Sequence, residues 1–218
     1  MIFFINGPSS AGKSSIAAAM QAQYSKPLLV VGIDMFLSMM PKQYLLDGEK
    51  ANEGFQFVSK KDAEGNDVTQ VIAGKYGQKV CDMAPNVIRT MAEAGFDIVV
   101  DEVLLGDESL KRYVQELHQY PVCFIGIYCE LEEIEKREKS RGNRHLGLGR
   151  DQMNRVHGPT RIYDVKIDAT NLLPDNVAKR IIEFVRETPK PTGFQQLYST
   201  FFPEENRDAS CSPSNRRP

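Results

Sequence analysis

Apolar residues gather along the chain in short runs rather than in alternation. Met1-Ile2-Phe3-Phe4-Ile5 comes first, followed by Leu28 to Asp34, Asp97 to Asp101, Val122 to Cys129 and Asp164 to Asp168. The middle runs are continuous, as expected of parallel strands covered on both faces. Helical stretches separate them. Ser15 to Ala22 is rich in strong helix formers, and Tyr76 to Ala94, Glu108 to His118, Glu130 to Ser140 and Asp175 to Glu187 follow. Strands alternating with helices predict an α/β fold, a three-layer α/β/α sandwich with a mainly parallel sheet.

Two segments break that rhythm. Asp47 to Gly74 is polar and glycine-bearing, with Phe55-Gln56-Phe57-Val58 and Val68-Thr69-Gln70-Val71 on either side of Glu64-Gly65-Asn66. This pattern predicts a β-hairpin or an insertion that covers a substrate. Arg141 to Arg155 is basic and punctuated by glycine, with Arg137, Arg141, Arg144, His145 and Arg150 close together. That is the composition of a lid, or of a solvated loop. Beyond Thr188 the chain turns polar. Phe194 to Tyr198 and Phe201-Phe202 are expected to dock on the body, and Glu204 to Pro218 is expected to be disordered. The expected division is a domain over 1–187 and a tail over 188–218.

Composition narrows the classes. With 218 residues the chain suits one α/β domain. Its 27 basic and 29 acidic residues give no charge excess that would favour nucleic acid or an anionic membrane. Cys81, Cys123, Cys129 and Cys211 lack metal-type spacing, and no apolar stretch is long enough to span a bilayer. No basic, cleavable leader precedes the first strand, so the expected setting is a soluble, reducing cytoplasm. A homo-oligomer is compatible with all of this.

The chemistry begins at Gly7-Pro8-Ser9-Ser10-Ala11-Gly12-Lys13-Ser14, spaced as G-x-x-x-x-G-K-[ST] between a strand and a helix. Glycines let successive backbone N–H groups turn inward on a phosphate, and the helix N-terminus adds partial positive charge. Lys13 can reach β- and γ-phosphates, and the Ser14 hydroxyl can ligate Mg²⁺. Gly7 through Ser15 are therefore candidate ATP-binding residues.

Ligand chemistry in open α/β sheets occurs beyond the carboxyl ends of strands. Asp34 and Asp101 both end apolar runs there. Asp101 suits Mg²⁺ together with Ser14, and Asp34 suits a base that accepts the proton of an attacking hydroxyl. A helix cap is the plainer role for either. Arg141 and Arg144 are candidate lid residues that would close over the phosphates and neutralise the transferring group.

Taken together, these residues resemble the chloramphenicol phosphotransferase family of small P-loop kinases. The resemblance runs from Met1 to about Val185. It rests on the loop Asn6 to Ser14, on Gly32-Ile33-Asp34 with Met40-Pro41, and on Val100-Asp101-Glu102-Val103-Leu104-Leu105-Gly106. It continues through Arg141-Gly142-Asn143-Arg144, Gly147, Gln152, Val156-His157, Tyr163-Asp164 and Asp168. It implies a P-loop NTPase fold of five parallel strands and ATP-dependent phosphorylation of a small-molecule hydroxyl. Asp34 would be the base and Arg141 and Arg144 the lid arginines. A nucleotide-dependent regulator and a kinase with a macromolecular acceptor stand as alternatives.

Overall fold

The computed structural model describes residues 1–141 and 146–203. Strand β1 (Ile2–Asn6) feeds the glycine loop and helix α1 (Lys13–Gln23), then β2 (Leu28–Gly32) and the short α2 (Ile33–Ser38). Next come β3 (Leu45–Leu46), β4 (Phe55–Lys61), β5 (Asp67–Ala73) and the long α3 (Lys75–Glu93). The chain continues through β6 (Asp97–Glu102), α4 (Asp107–Leu117), β7 (Val122–Tyr128), α5 (Leu131–Arg141) and α6 (Leu148–Val156). It closes with β8 (Val165–Asp168), α7 (Pro174–Glu187) and α8 (Gly193–Phe201).

Five of these strands form one parallel sheet in the order β2-β6-β1-β7-β8. Successive side chains of a strand point to opposite faces, which explains the unbroken first run. Phe3 and Ile5 pack with α1, α5 and α7 through Ile16, Met20, Ile134 and Ile181. Ile2 and Phe4 pack on the other face with α3, α4 and α8 through Ile88, Leu110, Val114 and Phe194. The result is the expected three-layer sandwich, with all five strands in place. The hairpin also forms: β4 and β5 pair antiparallel, and β3 adds to β4 in a second small sheet. Its turn holds Gly65 at φ 86° and is tied by Asp62, whose carboxylate accepts the N–H groups of Glu64 and Asn66.

Two expectations change. The second run stops being a strand at Gly32, and Ile33 already begins α2, which buries Phe36 and leaves Asp34 exposed in its first turn. Asp34 is thus presented by a helix start. In the lid segment, Leu148–Val156 is helix α6, burying Leu148, Gln152 and Val156 at helical spacing. Interleaved glycine and arginine hide that stripe in the sequence. The tail aromatics dock as anticipated: Phe194 and Leu197 of α8 are fully buried. His118 stacks on Tyr198 with ring centroids 3.5 Å apart. The disorder expected of Glu204 to Pro218 falls outside the described residues.

Candidate active site

An open cleft of about 690 Å³ lies at the carboxyl ends of β1, β2 and β6. Its floor is the glycine loop. Gly7 leaves β1 so close to β7 that a Cβ there would lie 2.7 Å from the Ile127 carbonyl. Gly12 stands at φ 96°, the left-handed region that glycine enters at no steric cost. Together they tighten the loop into α1, with Lys13 as the helix's first residue.

Lys13 is buried, and its Nζ folds back to donate to Pro8 O at 3.1 Å while lying 3.6 Å from Asp101 Oδ1. The Ser14 hydroxyl donates to Asp101 Oδ2 at 2.7 Å. So β6 brings Asp101 against the two loop residues expected to meet phosphate and metal. Two hard oxygens side by side at the cleft, one a carboxylate, fit Mg²⁺, which takes one or two protein oxygens and completes its shell with phosphate and water. Among the described residues, no group of three His, Cys, Asp or Glu side chains gathers at a metal-binding spacing.

The loop's crown is held from the lid side. Ser9 N donates to Gln152 Oε1 of α6 at 2.6 Å, in a buried contact. Gly149 brings the same helix so near that a Cβ would stand 3.2 Å from Ser9 O. Glu138 anchors the start of α6, its carboxylate accepting Gly147 N and Gly149 N at 3.0 and 2.7 Å. Arg137 donates to Ala11 O and to Ala169 O and Thr170 O, stitching the loop to the end of β8. Ser10 is the odd member. It is a non-glycine residue at φ 63°, and its Oγ is sealed from solvent with no hydrogen-bond partner among the described residues. A left-handed backbone costs such a residue roughly 1 kcal/mol, and an unsatisfied buried hydroxyl about as much again.

Above the floor, Asp34 and Arg141 line the cleft together with Lys13, Ser14 and Asp101. The structure therefore brings together Asp34, Arg141 and loop residues Ser9, Ser10, Gly12, Lys13 and Ser14. Gly7, Pro8 and Ala11 belong to the loop around them, whereas Ser15 is an exposed residue of α1 that is not part of the cleft lining. Arg144 lies outside the described residues, as does His145.

The far side of the cleft is mostly apolar. Ile33, Met35 and Leu37 of α2 face Phe55, Phe57, Val71 and Ala73 of the hairpin. Met35 reaches the cleft; Met39 is 64% exposed. α3 contributes Gln78 and Cys81 to the lining, and α4 contributes Ser109 and Arg112, three positions apart on one helical face. Arg112 Nε lies 3.1 Å from Asp82 Oδ1, which also accepts from Gln78 Nε2 at 2.9 Å. Of the cleft residues, Gln78, Ser109 and Arg112 were not singled out from sequence. The Phe55/Phe57 alternation on the hairpin was a usable signal, whereas Arg112 sits in an ordinary amphipathic helix and gave none.

Two buried networks back the site. The Glu102 carboxylate, next to Asp101, accepts the Tyr113 hydroxyl at 2.6 Å and Val103 N at 3.2 Å. Burial nevertheless pushes its carboxyl up to about 7. On the other side of β1, Asn6 Nδ2 donates to Tyr163 Oη at 2.7 Å, and Tyr163 Oη lies 2.8 Å from His157 Nδ1. His157 Nε2 lies 3.1 Å from Ile127 O, an acceptor only, so Nε2 carries the proton and Nδ1 accepts from Tyr163. Asn6 Oδ1 accepts Leu104 N at 2.9 Å. His157 is thus a structural histidine, and burial pushes its imidazole down to about 4.

The chain has relatives among known proteins. Two Mycobacterium tuberculosis proteins, of strains H37Rv and CDC 1551, each carry a provisional O-phosphotransferase name and are 27% identical over 200 residues. That alignment covers 92% of this chain and 88% of each relative. Among solved structures, the tunicamycin resistance protein of Deinococcus radiodurans superposes with a TM-score of 0.58 at 15% identity, covering 84% of this chain and 94% of that one. The APS kinase of Mycobacterium tuberculosis, in complex with AMPPNP and APS, gives 0.55 at 14% identity, covering 85% and 96%. At such identities the structures speak for the fold alone. A family model described as chloramphenicol phosphotransferase-like protein matches residues 1–186, and the chain belongs to that family.

Proposed function

We propose that the protein is an ATP- and Mg²⁺-dependent phosphotransferase that phosphorylates a hydroxyl group of a small, largely apolar molecule. The observation that carries this reading is one cleft lined by the phosphate loop with Lys13, by the Ser14–Asp101 pair, by Asp34 and by apolar side chains. The family and its provisionally named O-phosphotransferase relatives support the reaction class.

The roles follow from placement. The loop amides and the start of α1 receive the triphosphate, and Lys13 exchanges its contact with Pro8 O for phosphate oxygens. Ser14 and Asp101 would hold Mg²⁺, which when bound neutralises charge on the phosphates. Asp34 accepts the proton of the acceptor hydroxyl and orients its oxygen; because the transition state is loose, position matters more than an elevated basicity. Arg141, and Arg144 with it, closes over the transferring group and excludes water.

The apolar wall of Phe55, Phe57, Ile33 and Leu37 receives the acceptor's body, and Arg112, Ser109 and Gln78 meet a polar group that it carries. The cytoplasm is the proposed setting. No helix among the described residues is long and apolar enough to cross a membrane.

The test is phosphate transfer from ATP in the presence of Mg²⁺, with chloramphenicol and, separately, a metabolite extract as acceptors. A product heavier by one HPO₃ group establishes the reaction and names the acceptor. ATP bound tightly with no product in either pool would count against a small-molecule acceptor and favour a nucleotide-dependent regulator or a kinase with a macromolecular acceptor.

A further inference from the structure

Helix α6 turns one face to the cleft. Leu148, Gln152 and Arg155, four and then three positions apart, all line it. Leu148 and Gln152 are buried, and Gln152 is engaged by Ser9 N. Arg155, in the last turn, differs from both: its side chain is 39% exposed. Its Nη1 donates to Asp151 Oδ2 at 2.6 Å. Among the described residues neither Nε nor Nη2 has a hydrogen-bond partner, and neither is sealed from solvent. A guanidinium thus stands at the cleft with most of its donors unused.

Its anchor fixes where in the cleft it stands. The Asp151 side chain is 6% exposed, and its carboxylate also lies 3.3 Å from Lys60 Nζ of β4. Lys60 in turn donates to Gln70 Oε1 of β5 at 3.1 Å. Arg155 is therefore held where α6 meets the hairpin, on the strand that carries Phe55 and Phe57 of the apolar wall. The start of α6 is tied to β5 as well, since Thr69 Oγ1 donates to Leu146 O at 2.8 Å and Thr69 N to Gly147 O at 3.3 Å. One carboxylate here faces two cations. Arg150, by contrast, pairs with Glu135 and Asp62 and takes no part in the cleft lining, and Arg112 has a carboxylate of its own in Asp82.

The geometry points to Arg155 as the residue that selects the acceptor, by holding a carboxylate on the same molecule whose hydroxyl is phosphorylated. The acceptor class is then a small hydroxy acid with an apolar body. The assignment rests on the proposed reading of the cleft as a phosphotransfer site, in which Lys13 and Arg141 serve the triphosphate, and it adds a charge to the acceptor. Nε and Nη2 share one edge of the guanidinium, and their parallel N–H groups match the two oxygens of a carboxylate. Asp151 holds that edge in place from the opposite end, at Nη1. One open cation balances the single charge of a carboxylate, whereas a phosphate monoester carries nearly two and calls for more. The apolar side chains of the hairpin take the rest of the molecule.

The experiment uses calorimetry at neutral pH, with AMPPNP and Mg²⁺ present, to compare binding of 3-phenyllactate and of its neutral amide. The two probes share a ring and a hydroxyl and differ in charge. Wild type is expected to bind the carboxylate about tenfold or more tightly than the amide, the factor for a hydrogen bond to a charged group. In Arg155→Gln the two are expected to fall within about twofold of each other, with AMPPNP affinity unchanged. Arg155→Lys keeps a cation for Asp151 but lacks the fork, and is expected to retain no more than about a third of the preference. Melting temperatures show whether each variant folds, and Arg155→Lys carries the test if Arg155→Gln does not. Equal affinity of the two probes for wild type, absence of binding by both included, would overturn the proposal. So would a preference that survives in the folded variants, which would place the anion on another cation. Loss of AMPPNP affinity in Arg155→Gln would assign the guanidinium to the triphosphate and overturn it as well. Binding is read without turnover, so a transfer screen that finds no product counts against the proposed function and leaves this result standing.

Discussion

The Ser14 hydroxyl and the Asp101 carboxylate, 87 positions apart in the chain, meet at 2.7 Å where α1 starts and β6 ends. The parallel pairing of β1 with β6 sets that meeting, since the register places Ile5 opposite Asp101 and Asn6 opposite Glu102. A strand slip of one residue would turn Asp101 to the other face of the sheet. Replacing Asp101 by Asn keeps the shape and removes the charge. Mg²⁺-dependent ATP affinity is expected to fall about tenfold or more, while affinity measured with excess chelator should change little. An equal loss under both conditions would show that Asp101 does not act through the metal.

The lid-side clamp on the loop rests on Gln152. Replacing it by Ala leaves Ser9 N buried without an acceptor, at a cost of about 1–3 kcal/mol. A lower melting temperature and weaker ATP binding are both expected of Gln152→Ala. Unchanged nucleotide affinity in a destabilised variant would limit Gln152 to a packing role.

Glu102 ties stability to pH. Its carboxyl titrates near about 7 in the folded protein, against an ordinary value of 4.5. Between those values the folded state keeps a proton that the unfolded chain has lost, so stability falls as pH rises through this window. Glu102→Gln has no such proton. The variant should gain in melting temperature relative to wild type on going from about pH 5 to about pH 8. An identical difference at both ends would mean that the carboxyl titrates normally.

His157 acts in the opposite direction. Burial holds its imidazole near about 4, below the ordinary 6.5. As pH falls from the higher value toward the lower, the unfolded chain takes up a proton that the folded protein refuses, and stability is lost. Protonation would also deprive Tyr163 of its acceptor at Nδ1. His157→Asn is therefore expected to flatten the melting curve against pH on the acid side. A slope as steep as wild type would assign acid sensitivity elsewhere.

The last helix contributes to the core. Phe194 packs against Phe4 and Phe124 with ring centroids 5.4 and 5.3 Å apart. Phe194→Ala is expected to cost about 3–5 kcal/mol, with ADP affinity at a permissive temperature unchanged. A cost below about 1 kcal/mol would show that α8 is not part of the cooperative unit.

Much of the sheet was legible in the sequence because parallel strands buried on both faces must be apolar at every position, as Ile2 to Ile5 and Val122 to Ile127 are. The phosphate loop was legible because its chemistry is local: glycine conformation, lysine and hydroxyl all fall within eight residues. The second half of the site was harder to read. Asp34 was identified as a candidate, but as a strand end; the chain had already turned into α2, where Phe36 anchors a single amphipathic turn too short to show a period. Helix α6 was hidden because its buried positions are Leu148, Gly149, Gln152 and Val156, two of them not apolar side chains. Gln152 gave no hint of contacting Ser9, since that contact spans 143 positions and depends on how α6 seats against α5. Arg112 and Ser109 became cleft residues only when α3 and α4 packed side by side.

The most direct measurement compares wild type with Asp34→Asn for phosphate transfer from ATP to the acceptor found in the product screen, with ADP affinity measured in parallel. The account predicts that transfer falls by about two to four orders of magnitude, the range for removing a positioned acid–base group, while ADP affinity holds. Transfer by Asp34→Asn at the wild-type rate would contradict it.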